Sequence, residues 1–345
     1  MTNKAANAMT AKTKAIYAKR LKESDYQNLL QKKSVAEIAS YLKNDTYFKE
    51  SLDGINKKAL HRGQLEVIIR NDLIKRISRI LKYSPQKNGG FFRIVVIQSE
   101  INLLLASIRS ILSGDYQKVI IELPLIIESE ICFDIKKVAN CRELSELAEI
   151  VKGTPYYDII YKYRHTEISE FNFVGLEQEL QRHYYEEMGK LVKTSISKSS
   201  KDAIEEIFYT EVELDNISKI YRLKKYFNAP KEMIKDMITP VYSRFTKRDL
   251  EDIIDNVSAD HIIDRLCETS YRNYLDDSRF MFIEHTTKMI NYNLNHKHLL
   301  FSSDADLVLL TYLSLMGIEI QNIVDIIEGV RYHIPAEQIK KMLIY

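Results

Sequence analysis

Residues that make tight turns are scarce: the chain has ten glycines and six prolines among 345 residues, below the usual shares of roughly 7% and 5%. Sandwiches and barrels need such turns and are disfavoured accordingly. Cysteine is sparse as well. Cys132, Cys141 and Cys267 are an odd number without C-x-x-C spacing, which argues against a disulfide framework or zinc ribbon and fits a reducing compartment. The longest uncharged apolar stretch, Leu307 to Ile318, has 12 residues, the length of a buried helix and too short for a bilayer span. The first residues lack the apolar core of a signal peptide. A cytoplasmic chain with no membrane span of its own is therefore expected. Net charge is only +2, from 50 Lys+Arg against 48 Asp+Glu, so no global charge points to nucleic acid.

What fills the sequence is helix-forming. Leu65, Ile68, Ile69, Leu73, Ile77, Ile80 and Leu81 follow the i, i+3, i+4 spacing of one buried helix face. Ser34 with Glu37 and Thr246 with Asp249 have capping-box spacing, which satisfies orphan N–H groups at a helix start. Breaks are expected at Ser84-Pro85 through Gly89-Gly90, at Pro155, at Ala229-Pro230 and at Thr239-Pro240. A short strand pattern at Arg93–Ile97 runs without a boundary into apolar residues that read as helix. The expected fold class is all-α.

Internal repetition sets the architecture. Glu213-Leu214-Asp215-Asn216-Ile217 recurs 106 residues later as Glu319-Ile320-Gln321-Asn322-Ile323. Each is followed by a matching helix start, Pro230-x-Glu232-x-Ile234-Lys235 and Pro335-x-Glu337-x-Ile339-Lys340. A fainter copy stands at Ser99-Glu100-Ile101-Asn102-Leu103, with Arg109 placed roughly as Arg222 and Arg331 are later. A second signature, Leu42-x-x-x-Thr46-Tyr47, Val151-x-x-Thr154-x-Tyr156 and Leu266-x-x-Thr269-x-Tyr271, repeats with the same period. Its tyrosines lie 51 to 60 residues before Asn102, Asn216 and Asn322. Three homologous helical units over residues 1–125, 126–239 and 240–345 are expected, suggesting a pseudo-threefold or curved arrangement.

Catalytic signatures do not accompany this repeat. There is no phosphate-binding glycine motif, G-x-S-x-G, H-E-x-x-H or kinase set. His296-Lys297-His298 has no neighbouring carboxylate or cysteine and reads as solvated; His183 with Glu186 and Glu187 reads as a charged helix face; Cys267 reads as a structural thiol. No catalytic residue, metal site or cofactor is expected. Asn102, Asn216, Asn322, Glu213, Glu319, Tyr47, Tyr156 and Tyr271 recur in step and are assigned a structural role. On that view the asparagines cap or bridge helices, and Arg109, Arg222 and Arg331 pair with Glu100, Glu213 and Glu319. Those arginines are also interface candidates. Charge is uneven: residues 1–83 carry 18 Lys/Arg and 8 Asp/Glu, net +10, which leaves −8 for the rest. Lys12, Lys14, Lys19 and Lys22 in this basic part are candidates for contact with an acidic partner or anionic surface.

Taken in order, these motifs resemble the C-subunit family of the prokaryotic V-type (A/V-type) ATPase and ATP synthase, a relative of the d subunit of the eukaryotic vacuolar enzyme. The resemblance rests on Ala6-Asn7-Ala8 through Lys19-Arg20-Leu21, then Tyr26, Leu29, Leu30, Ser34, Leu42, Thr46 and Tyr47. It continues in Glu179-Leu180-Gln181-Arg182-His183-Tyr184-Tyr185 and in the two Asn-Ile motifs. The chain departs from the family in the spacing of His183-Tyr184-Tyr185 and in the distance from Asn322 to Arg331. The resemblance implies a non-catalytic subunit of a rotary ion pump. Three similar helical domains would form a funnel on the cytoplasmic face of the proteolipid ring, with the rotating shaft plugged into it. Its partners would be the ring and the shaft, not nucleic acid. The alternative is an all-helical repeat adaptor that binds acidic or nucleic-acid partners through its basic amino-terminal unit.

Overall fold

The computed structural model describes residues 2–55, 60–83, 91–114, 125–194, 200–275 and 282–345. All regular structure among the described residues is helical. The chain opens with α1 (Thr2–Tyr17), α2 (Glu23–Leu30), α3 (Val35–Asp45), a 3₁₀ turn at Tyr47–Lys49, and α4 (Arg62–Leu81). Next come α5 (Phe91–Ser113), α6 (Leu125–Glu128), α7 (Ile135–Asn140), α8 (Leu144–Ile150), α9 (Tyr157–Tyr161) and α10 (Phe173–Thr194). The carboxy-terminal part holds α11 (Lys201–Lys225), α12 (Lys231–Met237), α13 (Lys247–Asp255), α14 (Ile262–Cys267), α15 (Ile283–Phe301), α16 (Ala305–Arg331) and α17 (Ala336–Lys340).

Local chemistry accounts for these boundaries. Ser34 Oγ accepts from the Glu37 amide at the start of α3. Thr246 and Asp249 form a reciprocal capping box at α13. Pro230 and Pro335 stand at the N-caps of α12 and α17, where a missing N–H costs nothing. Arg93–Ile97 lies inside α5, as the helical reading expected. The break expected around Pro85 falls outside the described residues.

The chain divides into two compact units, one of residues 1–76 with 197–345 and one of residues 77–196. In the second unit a core is formed where Ile97 to Ile111 of α5 pack on Val138, Leu144, Leu147, Tyr156, Leu176 and Leu180. Two further cores among the described residues lie in the first unit. One joins Leu214 to Leu223 of α11 to Ile234, Leu250, Ile253, Leu266, Tyr271 and Ile290. The other joins residues near the amino terminus, from Leu21 to Ile69, to Ile320–Val330 of α16 and to Ile339 and Leu343. Each fully buried aliphatic side chain contributes about 1.5–3 kcal/mol of transfer free energy, so each core follows one long apolar helix.

Within the first unit, α15 runs antiparallel to α11: Glu206 faces His298, Ser218 faces Thr287 and Arg222 faces Glu284. Only Ser302, Ser303 and Asp304 separate α15 from α16, which folds back on it. Helices α11 and α16 are therefore parallel. Helices over Arg93–Ser113 and Ala305–Arg331 are long and apolar enough to cross a membrane, yet 72% of each apolar window is buried inside the protein. Their apolarity is spent on packing.

Candidate functional site

The repeated motifs converge on three buried junctions built on one plan. Glu100, Glu213 and Glu319 lie on α5, α11 and α16 and are buried. In the second unit, Tyr156 Oη donates to Glu100 Oε2 at 2.6 Å and the Cys132 amide donates to Oε1 at 2.8 Å. On α11, Tyr271 Oη donates to Glu213 Oε2 at 2.6 Å. The amides of Ser243, Arg244 and Phe245 also donate to Glu213, at 2.6, 2.8 and 3.1 Å. On α16, Glu319 accepts from Tyr47 Oη and from the Leu21 amide, the latter at 2.7 Å. The first two carboxylates thus fasten the segment that follows to a long helix, and the third fastens the amino-terminal segment to α16.

The threonine of the second signature does one job in each copy. Its hydroxyl donates to the last turn of the preceding helix and accepts from the amide two residues on. Thr46 links Leu42 to Phe48, Thr154 links Val151 to Tyr156, and Thr269 links Leu266 to Tyr271. By this register Phe48, not Tyr47, matches Tyr156 and Tyr271. Phe48 is fully buried, while Tyr47 supplies the hydroxyl from one position earlier.

Asn216 and Asn322 act as paired clamps. Asn216 Nδ2 donates to the Thr239 carbonyl at 2.7 Å and Oδ1 accepts from the Thr239 amide at 2.8 Å. Asn322 does the same to Ile344, at 2.6 and 3.1 Å. Asn102 has no such role; it is exposed and accepts from Gln98 at 3.4 Å. Counted from the glutamates, the position equivalent to Asn216 and Asn322 is Leu103, which is buried. The fainter copy is thus displaced by one residue from the sequence match.

The arginines pair elsewhere than expected. Arg222 Nε donates to Glu284 at 2.7 Å, Arg109 lies 3.7 Å from Glu177, and Arg331 stacks over Tyr332. The reason is helical geometry. Arg109 and Arg222 stand nine residues past Glu100 and Glu213, which turns them about half a revolution to the opposite face. Among the lysines, Lys12, Lys19 and Lys22 are exposed. Lys14 is committed: its Nζ donates to the carbonyls of Leu300 and Ser302, at 3.0 and 2.7 Å, closing the end of α15.

Electrostatics differ among the junctions. Burial pushes the Glu319 carboxyl up to about 7, against the Tyr47 hydrogen bond and the Arg76 charge. Tyr47, Tyr156 and Tyr271 are all raised by burial first and by the adjacent glutamate second. Arg76 stands behind Tyr47, donating to its hydroxyl at 2.9 Å and pairing with Asp72 at 2.8 Å. Neither Arg76 nor Asp72 carries a sequence signal, because their burial on α4 depends on tertiary packing. His183 packs edge-on to Tyr156, His296 stacks on Tyr292, and burial raises the Cys267 thiol. No grouping of three His, Cys, Asp or Glu arranged to hold a metal occurs among the described residues.

The long helices share one further feature. Gly114, Asn228 and His333 adopt positive φ fourteen, fifteen and fourteen residues after Glu100, Glu213 and Glu319, the left-handed geometry that terminates a helix. Beside the last two stand exposed aromatics, Tyr226, Phe227 and Tyr332. Because α11 and α16 are parallel, these lie at the same end of their unit.

Comparison with known proteins identifies the family. The chain is 25% identical over 236 residues to the C subunit of the A-type ATP synthase of Desulfurococcus sp. (strain SY), covering 67% of this chain. That match spans 60% of the relative's own length. It is 23% identical to the corresponding A-type ATP synthase subunit of Thermococcus gammatolerans over 273 residues, covering 78% of this chain and 69% of the relative. That of Archaeoglobus fulgidus is 21% identical over 345 residues, covering 99% and 97% of the two chains. The family profile described as ATP synthase (C/AC39) subunit matches residues 9–342, and the chain belongs to that family.

Proposed function

We propose that this chain is a non-catalytic central-stalk subunit of an A/V-type rotary ATPase. It acts as a socket that joins the rotating shaft to the proteolipid ring on the cytoplasmic face of the membrane. ATP hydrolysis in the soluble head is thereby coupled to movement of H⁺ or Na⁺. The observation that carries the reading is the junction repeated three times. A coupling that transmits torque must resist deformation, and a buried carboxylate holding a tyrosine hydroxyl and backbone amides fixes a segment to a helix with little freedom. Membership of the C/AC39 family supports the same assignment.

On this reading the three cores are copies of one helical unit in a pseudo-threefold, funnel-like arrangement. The spans 1–125, 126–239 and 240–345 keep the period of the repeat. The cores are offset from it, because each glutamate pairs with the tyrosine that follows it in the chain, and Glu319 with Tyr47. The shaft and ring surfaces are drawn from exposed groups, including the basic Lys12, Lys19 and Lys22, Arg109, Arg222 and Arg331, and the aromatic helix ends.

The decisive experiment is to isolate the rotary complex from cells with and without this chain. The expected result is a head that still hydrolyses ATP but no longer drives ion transport, with shaft and ring separated. A complex that remains coupled without the chain overturns the proposal. A finer arm replaces Lys12, Lys19 and Lys22 by Glu. Recovery of the complex should fall at low salt, where exposed charges act over more than the ~8–10 Å of physiological screening, while circular dichroism stays unchanged. Unchanged recovery at low salt returns these lysines to a solvated helix face.

A further inference from the structure

The three carboxylate junctions are alike in plan and unequal in support. Glu213 receives three backbone amides and a tyrosine hydroxyl. Glu100 receives one amide and a tyrosine hydroxyl, with the Arg93 guanidinium 3.5 Å away. Glu319, also enclosed, accepts hydrogen bonds from one amide, that of Leu21, and the Tyr47 hydroxyl. The cation behind Tyr47, Arg76, already pairs with Asp72. Glu319 also lines a cavity of about 220 Å³ with Tyr17, Arg20, Tyr26, Tyr292 and Tyr345. The junction it makes is the one that holds the amino-terminal segment to α16.

We infer that Glu319 is a proton-operated latch: protonated, it keeps Leu21 and Tyr47 seated on α16, and ionised, it favours their release. The physical cause is the imbalance just described. An ionised carboxylate buried with two donors among the described residues is costly, and a neutral carboxyl at the same place is less so. The cavity beside Glu319 is lined by polar groups, Tyr17, Arg20 and Tyr26 among them.

The groups facing Glu319 come from several elements. Tyr17 and Tyr26 from α1 and α2, Tyr47 from the 3₁₀ turn, and Tyr312 from α16 itself are all raised above the usual tyrosine value by burial. Arg76 on α4 is raised as well, by Tyr47, Tyr312, Asp72 and Glu319 against its own desolvation. Arg20 lies over the Tyr17 ring at 4.5 Å. Lys22 and Glu23 line the same cavity. From α15, Tyr292 faces the cavity; His296, stacked on it, is lowered by burial and by Arg20.

Linkage sets the direction of the effect. In the closed junction the carboxyl sits at about 7, and once opened to water it returns toward 4.5. Between those values the closed form binds more protons, so raising the pH through the window favours opening. From pH 5 to pH 8 the opening equilibrium should increase on the order of 70-fold.

The test is amide hydrogen exchange of the full-length protein at pH 5, 6.5 and 8, corrected for the intrinsic exchange rate. Leu21 should lose protection by tens of fold over that range. The amides of Ser243 to Phe245, held by Glu213, serve as the reference and should not follow it. Glu319→Gln should make Leu21 protection flat with pH. Tyr47→Phe removes one carboxylate donor and should move the midpoint upward, and it serves as well if Glu319→Gln does not fold. Leu21 opening that is independent of pH in the parent, or that keeps its midpoint in Tyr47→Phe, overturns the inference. Neither outcome bears on the rotary assignment, which is read from complex assembly.

Discussion

Replacing Asn216 by alanine gives the sharpest test of the clamp on α11. The side chain is fully buried and pairs with both the amide and the carbonyl of Thr239, itself 6% exposed. Alanine leaves those two backbone groups without partners, and each such group costs about 1–3 kcal/mol. The expected loss is therefore about 2–6 kcal/mol. For a cooperative unit of roughly 200 residues, at about 2–4 °C per kcal/mol, this is a Tm decrease of about 4–24 °C. Asn322→Ala removes an equivalent pair at Ile344, itself 2% exposed, and should cost a similar amount. The assay is thermal and urea unfolding of the parent and both variants, with amide exchange at Thr239 as the local readout. An Asn216→Ala protein within about 1 kcal/mol of the parent would refute the reasoning.

The remaining junctions yield an ordering. Tyr271→Phe leaves Glu213 three amide donors and should cost about 1 kcal/mol, whereas Tyr156→Phe leaves Glu100 the Cys132 amide and a distant Arg93, and should cost about 2–3 kcal/mol. Urea midpoints that reverse this order would contradict it. Lys14→Ala should destabilise by about 1 kcal/mol because two carbonyls at the end of α15 lose their donor, while Lys12→Ala should stay within about 0.5 kcal/mol of the parent. Calorimetric titration with Mg-ATP should give no specific binding to the isolated chain, since the described positive-φ glycines Gly54, Gly114 and Gly153 are isolated and build no phosphate cradle.

Much of this fold is legible in the residues alone. The scarcity of glycine and proline and the 3.6-residue spacing give the all-helical class, and Thr246 with Asp249 marks the start of α13 as its spacing says. The motif around Glu213 and Asn216 places both on one buried face because they are three residues apart on a helix. Pairing is harder to see. Tyr156 stands 56 residues after Glu100 and 60 before Asn216, so the period cannot say which neighbour it bonds. Matching the first copy on its asparagine, not its glutamate, displaces the register by one residue, and one residue on a helix turns a side chain by about 100°. That is why Asn102 faces outward while Leu103 occupies the core. Arg76 and Asp72 leave no trace because their burial depends on segments distant in sequence.

The closure of the amino-terminal segment onto α16 has a consequence for the order in which the protein can be made. Leu21 to Ile69 share a core with Ile320 to Leu343, so their partners emerge from the ribosome about 250 residues later. At about 5–20 residues per second this is roughly 12–50 seconds. During that interval Leu29, Ile38, Leu42 and Phe48, all fully buried in the finished protein, have no α16 to cover them. The cores on α5 and α11 can each assemble as soon as the segment after their helix is made. Synthesis thus completes two of the three cores described in sequence order and leaves Leu21 to Ile69 waiting for α16, which makes that nascent segment a natural client for a chaperone.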